Sequence, residues 1–404
     1  MWHRLYGTSY ATLCRLNPFT GLAIVCAAGF LAPLLLGLAP RLRLPAIVLE
    51  ILAGILIGPH GLGGVTVDAS IRTLSILGIG FLLFLSGLEL DFTLLKGRRL
   101  NVALAAFVVS VVLAYAIALG LRAAGMIESA LLVAICWSAT GLGLVAPVLK
   151  DAGESATEFG QLIIGAATIS DFGTVLLLSM FFSRESSSSA TKLILMGGFV
   201  ALSVVVVIAM QTAKRWQHLG TTLRRLQDST AQIRIRGAFL FLVTFAALAT
   251  RLGLEVILGA FVAGALIAVF DRDYARTHPK FHEKLEAIGF GVFIPIFFVT
   301  SGLTFDVSAL FTDTGTMLRV PIFLLALLVA RGLPALMYRP LIAKSRVMIA
   351  AVLQATNLPF IVATTTIGVE LHQLTPQNAA ALVAAGLLSV VIFPATALVL
   401  LKRE

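Results

Sequence analysis

The sequence has few charged residues and very little cysteine. Only 12% of its 404 residues are Asp, Glu, Lys or Arg, about half the fraction found in soluble domains. The 59% of hydrophobic residues occur in long continuous runs, without the periodicity of amphipathic helices or half-buried strands. Three cysteines provide no disulfide framework and no spacing typical of a metal site. These shortages exclude an ordinary soluble globular domain.

Apolar runs of about 20 residues, bounded by charges, recur along the whole chain. A bilayer core of roughly 30 Å requires helices of that length, so the runs predict an all-α polytopic membrane protein. The eighth and ninth runs are separated only by Arg251 and Glu255, but a fused helix of about 36 residues would be too long even with tilt. We therefore expect thirteen transmembrane helices, at about 21–38, 44–60, 70–88, 100–122, 128–149, 157–181, 191–212, 236–251, 254–271, 286–304, 317–338, 345–368 and 377–401.

The basic residues indicate how these helices are oriented, because cytoplasmic loops retain Lys and Arg. Under the predicted spans one side carries 21 of them, including six between Lys214 and Arg236, and the other side carries 8. The prediction is a multi-pass protein of the cell inner (plasma) membrane, with its N-terminus outside and its C-terminus in the cytoplasm. The net charge is +10. The basic residues that produce it are scattered over short loops, which argues against nucleic-acid binding.

Two short sequence motifs occur twice in the chain. "FLLFLSGLELD" (81–91) resembles "IFFVTSGLTFD" (296–306), and "LEILAGILIG" (49–58) resembles "LGAFVAGALIA" (258–268). The first pair is offset by 215 residues (306 − 91) and the second by 210 (263 − 53). Two matches in the same order at similar offsets predict a duplicated block.

The duplication predicts repeats of opposite orientation. Spans two and three correspond to spans nine and ten, and copies that lie seven spans apart cross the membrane in opposite directions. Inverted repeats are typical of secondary transporters, whose substrate site lies near the midplane. The predicted organisation is an extracytoplasmic segment 1–20, a first six-helix repeat 21–181, a linker helix and basic loop 182–235, a second repeat 236–401 and a cytoplasmic C-terminus 402–404.

Ionisable side chains deep in a membrane span are costly and mark functional sites. Only Asp171, within "GAATISDFGTVLLL", and Arg331, within "FLLALLVARGLPALM", lie near the centre of a predicted span. Asp171 can hold either a proton or a small cation, and competition for one carboxylate couples the two fluxes. Arg331 keeps its proton, so it is expected to compensate charge by balancing half-helix dipoles or by pairing with a carboxylate. A structural ion pair with Arg331 is the alternative role for Asp171.

Two predicted spans contain polar clusters that weaken a helix. Span five reads "WSATGLG" (137–143), and span twelve reads "QATNLP" (354–359). Their glycines and proline favour local unwinding, which is tolerated only where the backbone faces protein or a water-filled cavity. Interruptions at corresponding positions of two halves indicate a transport site. The candidate interruption residues are Gly141, Gly143, Asn357 and Pro359, and the candidate oxygen ligands for Na⁺ or K⁺ beside Asp171 are Ser138, Thr140 and Ser170.

Five stretches together resemble the monovalent cation:proton antiporter-2 family: "LEILAGILIGPHGLG", "ILGIGFLLFLSGLELD", "SATGLGLVAPVLKD", "GAATISDFGTVLLL" and "LGAFVAGALIA…IPIFFVTSGLTFD". The similarity covers essentially the whole chain in order. It implies a mobile core domain with two crossed discontinuous helices, a dimerisation domain, elevator-type alternating access and a homodimer. It also implies that Asp171 is the ion-binding carboxylate, that Thr140 lies in the unwound crossing, and that Arg331 is the family's basic residue of the eleventh span.

One position departs from the family pattern. The residue before the carboxylate is commonly Asp, Asn or Gln in the family, and here it is Ser170. Members with a second Asp tend to be electrogenic, so the single carboxylate predicts electroneutral exchange of one H⁺ for one cation, in the service of pH homeostasis. Na⁺ is the expected ion, ahead of K⁺ and Li⁺. We expect no cofactor and no enzymatic activity.

Other transport activities are alternatives to this prediction. A K⁺/H⁺ antiporter of the potassium-efflux type is less expected, because its glutathione-gated members commonly carry a nucleotide-binding domain that this sequence does not contain. A Na⁺-coupled organic-anion symporter would need more polar residues to line its cavity, and a gated channel is the third possibility. Asp91 and Asp306 of the repeated motif fall at span ends, so neither is expected to bind the ion.

Overall fold

A computed structural model describes residues 18–38, 45–89, 97–182, 232–270, 279–311 and 314–402, with scattered positions between 194 and 208. Every regular element in these ranges is helical. In chain order the helices are α1 Pro18–Leu38, α2 Ala46–Ile57, α3 Ala69–Leu88, α4 Arg98–Ala123, α5 Ala130–Ser138, α6 Leu142–Asp151, α7 Glu158–Phe181, α8 Ile233–Arg251, α9 Val256–Phe270, α10 Pro279–Ile288, α11 Ile294–Thr304, α12 Ser308–Phe311, α13 Thr314–Gly332, α14 Arg346–Gln354, α15 Pro359–Glu370 and α16 Pro376–Leu401.

The lengths of these helices confirm the prediction of an all-α polytopic membrane protein. Ten helical segments in the described ranges are long and apolar enough to cross a membrane, and two shorter apolar helices, Ala46–Ile57 and Val256–Val269, accompany them. The predicted span 191–212 is described only at scattered positions, and most of the basic segment 213–236 lies outside the described residues. The count of thirteen therefore stays a prediction.

The helices divide into two separately packed units. The first unit contains the residues up to Gly78 together with Phe290–Ser308, and the second contains Ile79–Gly289 together with Ala309–Glu404. The first unit has an apolar core between α1, α2, α11 and the segment that leads into α3. Its buried members are Val25, Ala28, Val65, Ile71, Ile296, Val299 and Leu303.

In the first unit, α2 and α11 are in backbone contact through two glycines. A Cβ atom at Gly54 would lie 2.1 Å from the carbonyl oxygen of Val299, and one at Gly302 would lie 2.2 Å from that of Ile51. No side chain larger than hydrogen fits at either position. Small residues allow this close approach, which matters in a membrane because lipid supplies no hydrophobic force between helices.

The second unit contains a matching contact between α3 and α9. A Cβ atom at Gly87 would lie 2.2 Å from the carbonyl oxygen of Phe261, and one at Gly264 would lie 2.0 Å from that of Phe84. These four glycines are the ones that the two repeated motifs share. In each contact a motif from the first half of the chain packs against the other motif from the second half, which is the reciprocal pairing that a duplicated fold would produce.

In the second copy of the repeated motif, the acidic residue lies beyond the glycine contact. Asp306 follows the end of α11, where its Oδ1 lies 3.3 Å from Nδ1 of His60 and accepts a hydrogen bond from Ser308 Oγ. The side chain of Asp306 is 29% exposed. Asp91 lies outside the described residues.

A substitution tests whether the glycine contact stabilises the first unit. Gly54→Ala should lower the apparent melting temperature of the detergent-solubilised protein, because overpacking of this kind costs about 1–3 kcal/mol. The measurement is the monodisperse fraction that survives heating, followed by size-exclusion chromatography. Gly37→Ala is the matched control, since a Cβ there meets no atom within 4 Å. Equal melting temperatures for the two variants would contradict the proposed stabilisation.

Candidate functional site

The helix of predicted span five is interrupted, and α5 ends at Ser138 while α6 begins at Leu142. Ala139, the residue after α5, has an extended backbone (φ −77°, ψ 158°). The first amides of a helix have no partner within it. The break therefore presents backbone donors to the protein interior, at residues that are buried.

The helix of predicted span twelve is interrupted in the same way. Here α14 ends at Gln354 and α15 begins at Pro359, whose missing N–H suits the first position of a helix. The two interruptions touch, because the amide of Gly141 donates to the carbonyl oxygen of Thr356 over 2.8 Å. Both breaks lie in the second unit.

Asp171 projects from α7 onto the first interruption. Its Oδ1 accepts a hydrogen bond from the amide of Thr140 (3.1 Å) and its Oδ2 accepts one from the amide of Leu142 (3.4 Å). The residue is only 1% exposed. Its carboxylate thus lies at the N-terminus of α6, where the helix dipole favours negative charge.

Arg331 projects from α13 and is 2% exposed. Its Nη2 donates to Ser170 Oγ and to Gln354 Oε1, both over 2.6 Å, and also to Thr140 Oγ1. Because Gln354 is the last residue of α14, the positive charge lies at the C-terminus of that half-helix, where a cation is favoured. Among the described residues no ion pair of 4 Å or less joins Arg331 to Asp171.

The other predicted ligands differ in how close they come to this centre. Thr140 and Ser170 both contact Arg331, and Ser170 Oγ also donates to the carbonyl oxygen of Ala166 (2.8 Å). Ser138 instead donates to the carbonyl oxygen of Ile135 (2.8 Å) and shares a 3.0 Å hydrogen bond with Thr174.

The predicted interruption residues occupy different places around the breaks. Gly141 and Asn357 lie within the two breaks, while Gly143 belongs to the first turn of α6 and Pro359 to that of α15. The side-chain nitrogen of Asn357 donates to the carbonyl oxygen of Cys136 (2.9 Å), so this amide joins the two interrupted helices.

Two residues of this polar centre are missing from the site predicted from sequence. Gln354 accepts from Arg331 and donates through Nε2 to the carbonyl oxygen of Ile163 (3.1 Å), and its polarity within an apolar run was the available signal. Ser389 of α16 accepts from the amide of Asn357 (3.3 Å). Its place in α16 matches that of Asp171 in α7, because the two helices begin 218 residues apart (376 − 158), as do the two residues (389 − 171). A serine in an apolar helix carries no signal of its own.

Buried charges at two helix interruptions define a polytopic membrane protein of the transporter type. Residues 27–403 match the family described as "Sodium/hydrogen exchanger, transmembrane". The chain therefore belongs to this sodium/hydrogen exchanger family, which also confirms the predicted resemblance to monovalent cation:proton antiporters.

Individual relatives agree with this assignment. "Putative Na(+)/H(+) antiporter YjbQ" of Bacillus subtilis is 32% identical over 95% of this chain, which spans 63% of that protein's length. "Na(+)/H(+)-K(+) antiporter GerN" of Bacillus cereus is 29% identical over 67% of this chain and 68% of its own length. The solved sodium proton antiporter MjNhaP1 of Methanocaldococcus jannaschii is 16% identical, with a TM-score of 0.68 over 96% of this chain and 99% of its own, so it shares the fold.

The contacts of Arg331 predict that lysine cannot replace it. Arg331→Lys should lower the apparent melting temperature in detergent by the equivalent of about 1–3 kcal/mol, because lysine lacks the Nε donor to Thr140 Oγ1 and the planar group that directs Nη2 to Thr140, Ser170 and Gln354. The measurement is thermal unfolding at constant pH. The exposed Arg122 serves as control, and Arg122→Lys should leave the melting temperature unchanged. A stable Arg331→Lys protein would show that the fork is dispensable.

Proposed function

We propose that this chain is an antiporter that exchanges protons for a monovalent cation, with Na⁺ as the preferred ion, through competition at Asp171. The carrying observation is the position of its buried carboxylate, which two backbone amides hold at a helix interruption. Two relatives named as antiporters support the same activity.

The geometry explains how one carboxylate can serve both substrates. The amides of Thr140 and Leu142 stabilise the charged form of Asp171 while a cation is bound. When the cation leaves, burial favours protonation, because an uncompensated charge is costly in a low-dielectric interior. A bound proton and a bound cation are then mutually exclusive. Each exchange cycle carries a cation across the membrane in one direction and a proton in the other.

The hydrogen bonds also rank the predicted hydroxyl ligands. A hydroxyl oxygen has two acceptor lone pairs. Thr140 Oγ1 accepts from both Nε and Nη2 of Arg331, whereas Ser170 Oγ accepts only one of the hydrogen bonds described above and keeps a lone pair. We therefore favour Ser170 over the Thr140 hydroxyl as a second oxygen ligand for the cation.

From the resemblance to the family, we extend the proposal to the movement of the protein during transport and to its assembly in the membrane. All the residues of the site lie in the second packing unit, which fits an elevator-type movement of one body that carries the ion. The proposal includes a homodimer in the cell inner membrane, with the N-terminus outside. K⁺ is the second candidate cation, because GerN is named as a Na⁺/H⁺-K⁺ antiporter.

Removal of the carboxylate charge tests the ion site. Asp171→Asn in proteoliposomes should reduce cation-induced dequenching of a pH-sensitive dye to the level of protein-free liposomes, because an amide cannot exchange a proton for a cation. The assay scans Li⁺, Na⁺, K⁺ and Rb⁺ at several pH values. Asp151→Asn, at the exposed end of α6, is the matched control and should retain exchange. Exchange by Asp171→Asn would refute the assignment.

The single carboxylate predicts the charge moved per cycle. The wild-type protein on a solid-supported membrane should give no steady cation-driven current, because one proton leaves for each cation that enters. Ser170→Asp adds a second carboxylate beside the first and should make exchange electrogenic. A current from the wild type would disprove electroneutral exchange.

A further inference from the structure

Two polar clusters hold the outer ends of the interrupted helices, away from the ion site. The first, which we call the Glu154 clamp, consists of Glu154, Thr157 and Arg346. The guanidinium of Arg346 donates from Nη1 to Oε2 (3.0 Å) and from Nη2 to Oε1 (3.1 Å) of Glu154, and Thr157 Oγ1 donates to the same carboxylate over 2.6 Å. The hydrogen bond from Thr157, followed by the guanidinium, holds the pKa of Glu154 below its ordinary value.

The Glu154 clamp connects three elements. Glu154 lies in the turn after α6, Thr157 is the N-cap of α7, and Arg346 is the first residue of α14. Arg346 also lies over the ring of Phe159, 5.2 Å from its centroid. The clamp therefore joins the end of the first interrupted helix to the start of the second, and both to the helix that carries Asp171.

The second cluster, the Glu128 clamp, consists of Glu128, Asn378 and Arg319. The side-chain nitrogen of Asn378 lies 2.9 Å from each carboxylate oxygen of Glu128, and Arg319 Nη1 donates to Asn378 Oδ1 over 2.7 Å. Glu128 lies just before α5, and Asn378 lies in the first turn of α16. This clamp ties the start of the first interrupted helix to the segment that follows the second, and to α13, which carries Arg331.

The two clamps are related by the same sequence offset. Arg346 follows Glu128 by 218 residues (346 − 128), and Thr375 follows Thr157 by 218 (375 − 157). Both threonines are N-caps, of α16 and α7. In each half, the residue at the start of an interrupted helix reaches the turn that follows the other interrupted helix. The two contacts therefore secure opposite ends of the crossed pair.

We propose that Glu154 and Arg346, with Glu128 and Asn378 at the opposite end, are positioning residues that keep the four half-helices in one arrangement throughout the transport cycle. This inference rests on the proposed antiport function. An interrupted helix has no continuous hydrogen-bond ladder across its break, so the half-helices could tilt independently and displace the amides that hold Asp171. Clamps beyond both breaks prevent that tilt without contact with the ion.

A covalent link tests whether the Glu154 clamp stays closed. In a variant whose three native cysteines are replaced by serine, Glu154→Cys with Arg346→Cys should slow Na⁺-driven dye dequenching about threefold to thirtyfold, the range expected for lost positioning contacts. A short bifunctional thiosulfonate should then restore at least about half of the original rate, because the link replaces the ion pair. Loss of the remaining exchange after linking would show that the clamp opens during the cycle and would overturn the proposal.

The rate of linking gives a readout that does not depend on transport. Measured at a single pH, because the thiolate is the form that reacts, it should be the same with and without Na⁺. A rate that changes severalfold on addition of Na⁺ would overturn a permanently closed clamp. Absence of exchange in the wild-type protein would instead contradict the proposed function, while the linking rates would still decide whether the clamp stays closed.

A charge exchange separates positioning from general surface electrostatics. Glu154→Arg and Arg346→Glu should each lower the exchange rate and raise the apparent KM for Na⁺, and the double variant should recover most of both. The control is the ion pair of Arg99 with Glu158. Arg99 Nη2 lies 2.7 Å from Glu158 Oε1, but the side chain of Glu158 is 80% exposed. Exposed pairs contribute little, so Glu158→Gln should keep both parameters. Glu154→Gln, the matched change in the clamp, should lower the exchange rate and raise the apparent KM. Equal effects of Glu158→Gln and Glu154→Gln, or no recovery in the double variant, would contradict positioning.

Discussion

Backbone groups exposed by two interrupted helices inside a membrane have to find partners within the protein, and the second unit is organised around that requirement. The two breaks meet at the hydrogen bond from Gly141 to Thr356. On one side of the crossing, Asp171 accepts hydrogen bonds from the amides of Thr140 and Leu142. On the other side, Ser389 accepts one from the amide of Asn357. The site is therefore a consequence of satisfying an interruption, and the carboxylate is buried because the backbone supplies its partners.

The half-helices also determine where the two buried charges lie. Asp171 is at the N-terminus of α6, and Arg331 is at the C-terminus of α14, so each charge faces the half-helix end of opposite sign. Arg331 is satisfied by neutral oxygens of Thr140, Ser170 and Gln354. An arginine bound directly to the carboxylate would compete with a cation at the proposed site. In the described structure the two charges are satisfied by separate groups, as the proposed exchange at Asp171 requires.

The repeated motifs serve packing. Gly54 meets the segment of Gly302, and Gly87 meets the segment of Gly264, with carbonyl oxygens where side chains would otherwise be. The motif repeats because two helix contacts of the same kind are needed, one in each unit. The acidic residue that ends the second copy of the motif, Asp306, lies in a partly exposed pair with His60.

The sequence by itself determined that the protein is embedded in a membrane, that its fold is helical and where its polar centre lies. A low charge fraction in long apolar runs requires a membrane. Asp171 and Arg331 are the two ionisable residues deep in predicted spans, and the Gly- and Pro-containing clusters mark both interruptions. These properties are local: the cost of burying a charge and the tendency of a helix to break depend on the residue and its neighbours in the chain.

Only the tertiary structure decided which groups satisfy one another. The sequence left Arg331 with two possible partners, gave no reason to select Ser389, and did not connect Glu154 with Arg346. These contacts join residues that lie 23 to 192 positions apart, or farther for Gly54 and Gly302. They depend on how the helices cross, because the direction in which a side chain points from a packed helix is fixed by its neighbours in space and not by its neighbours in sequence.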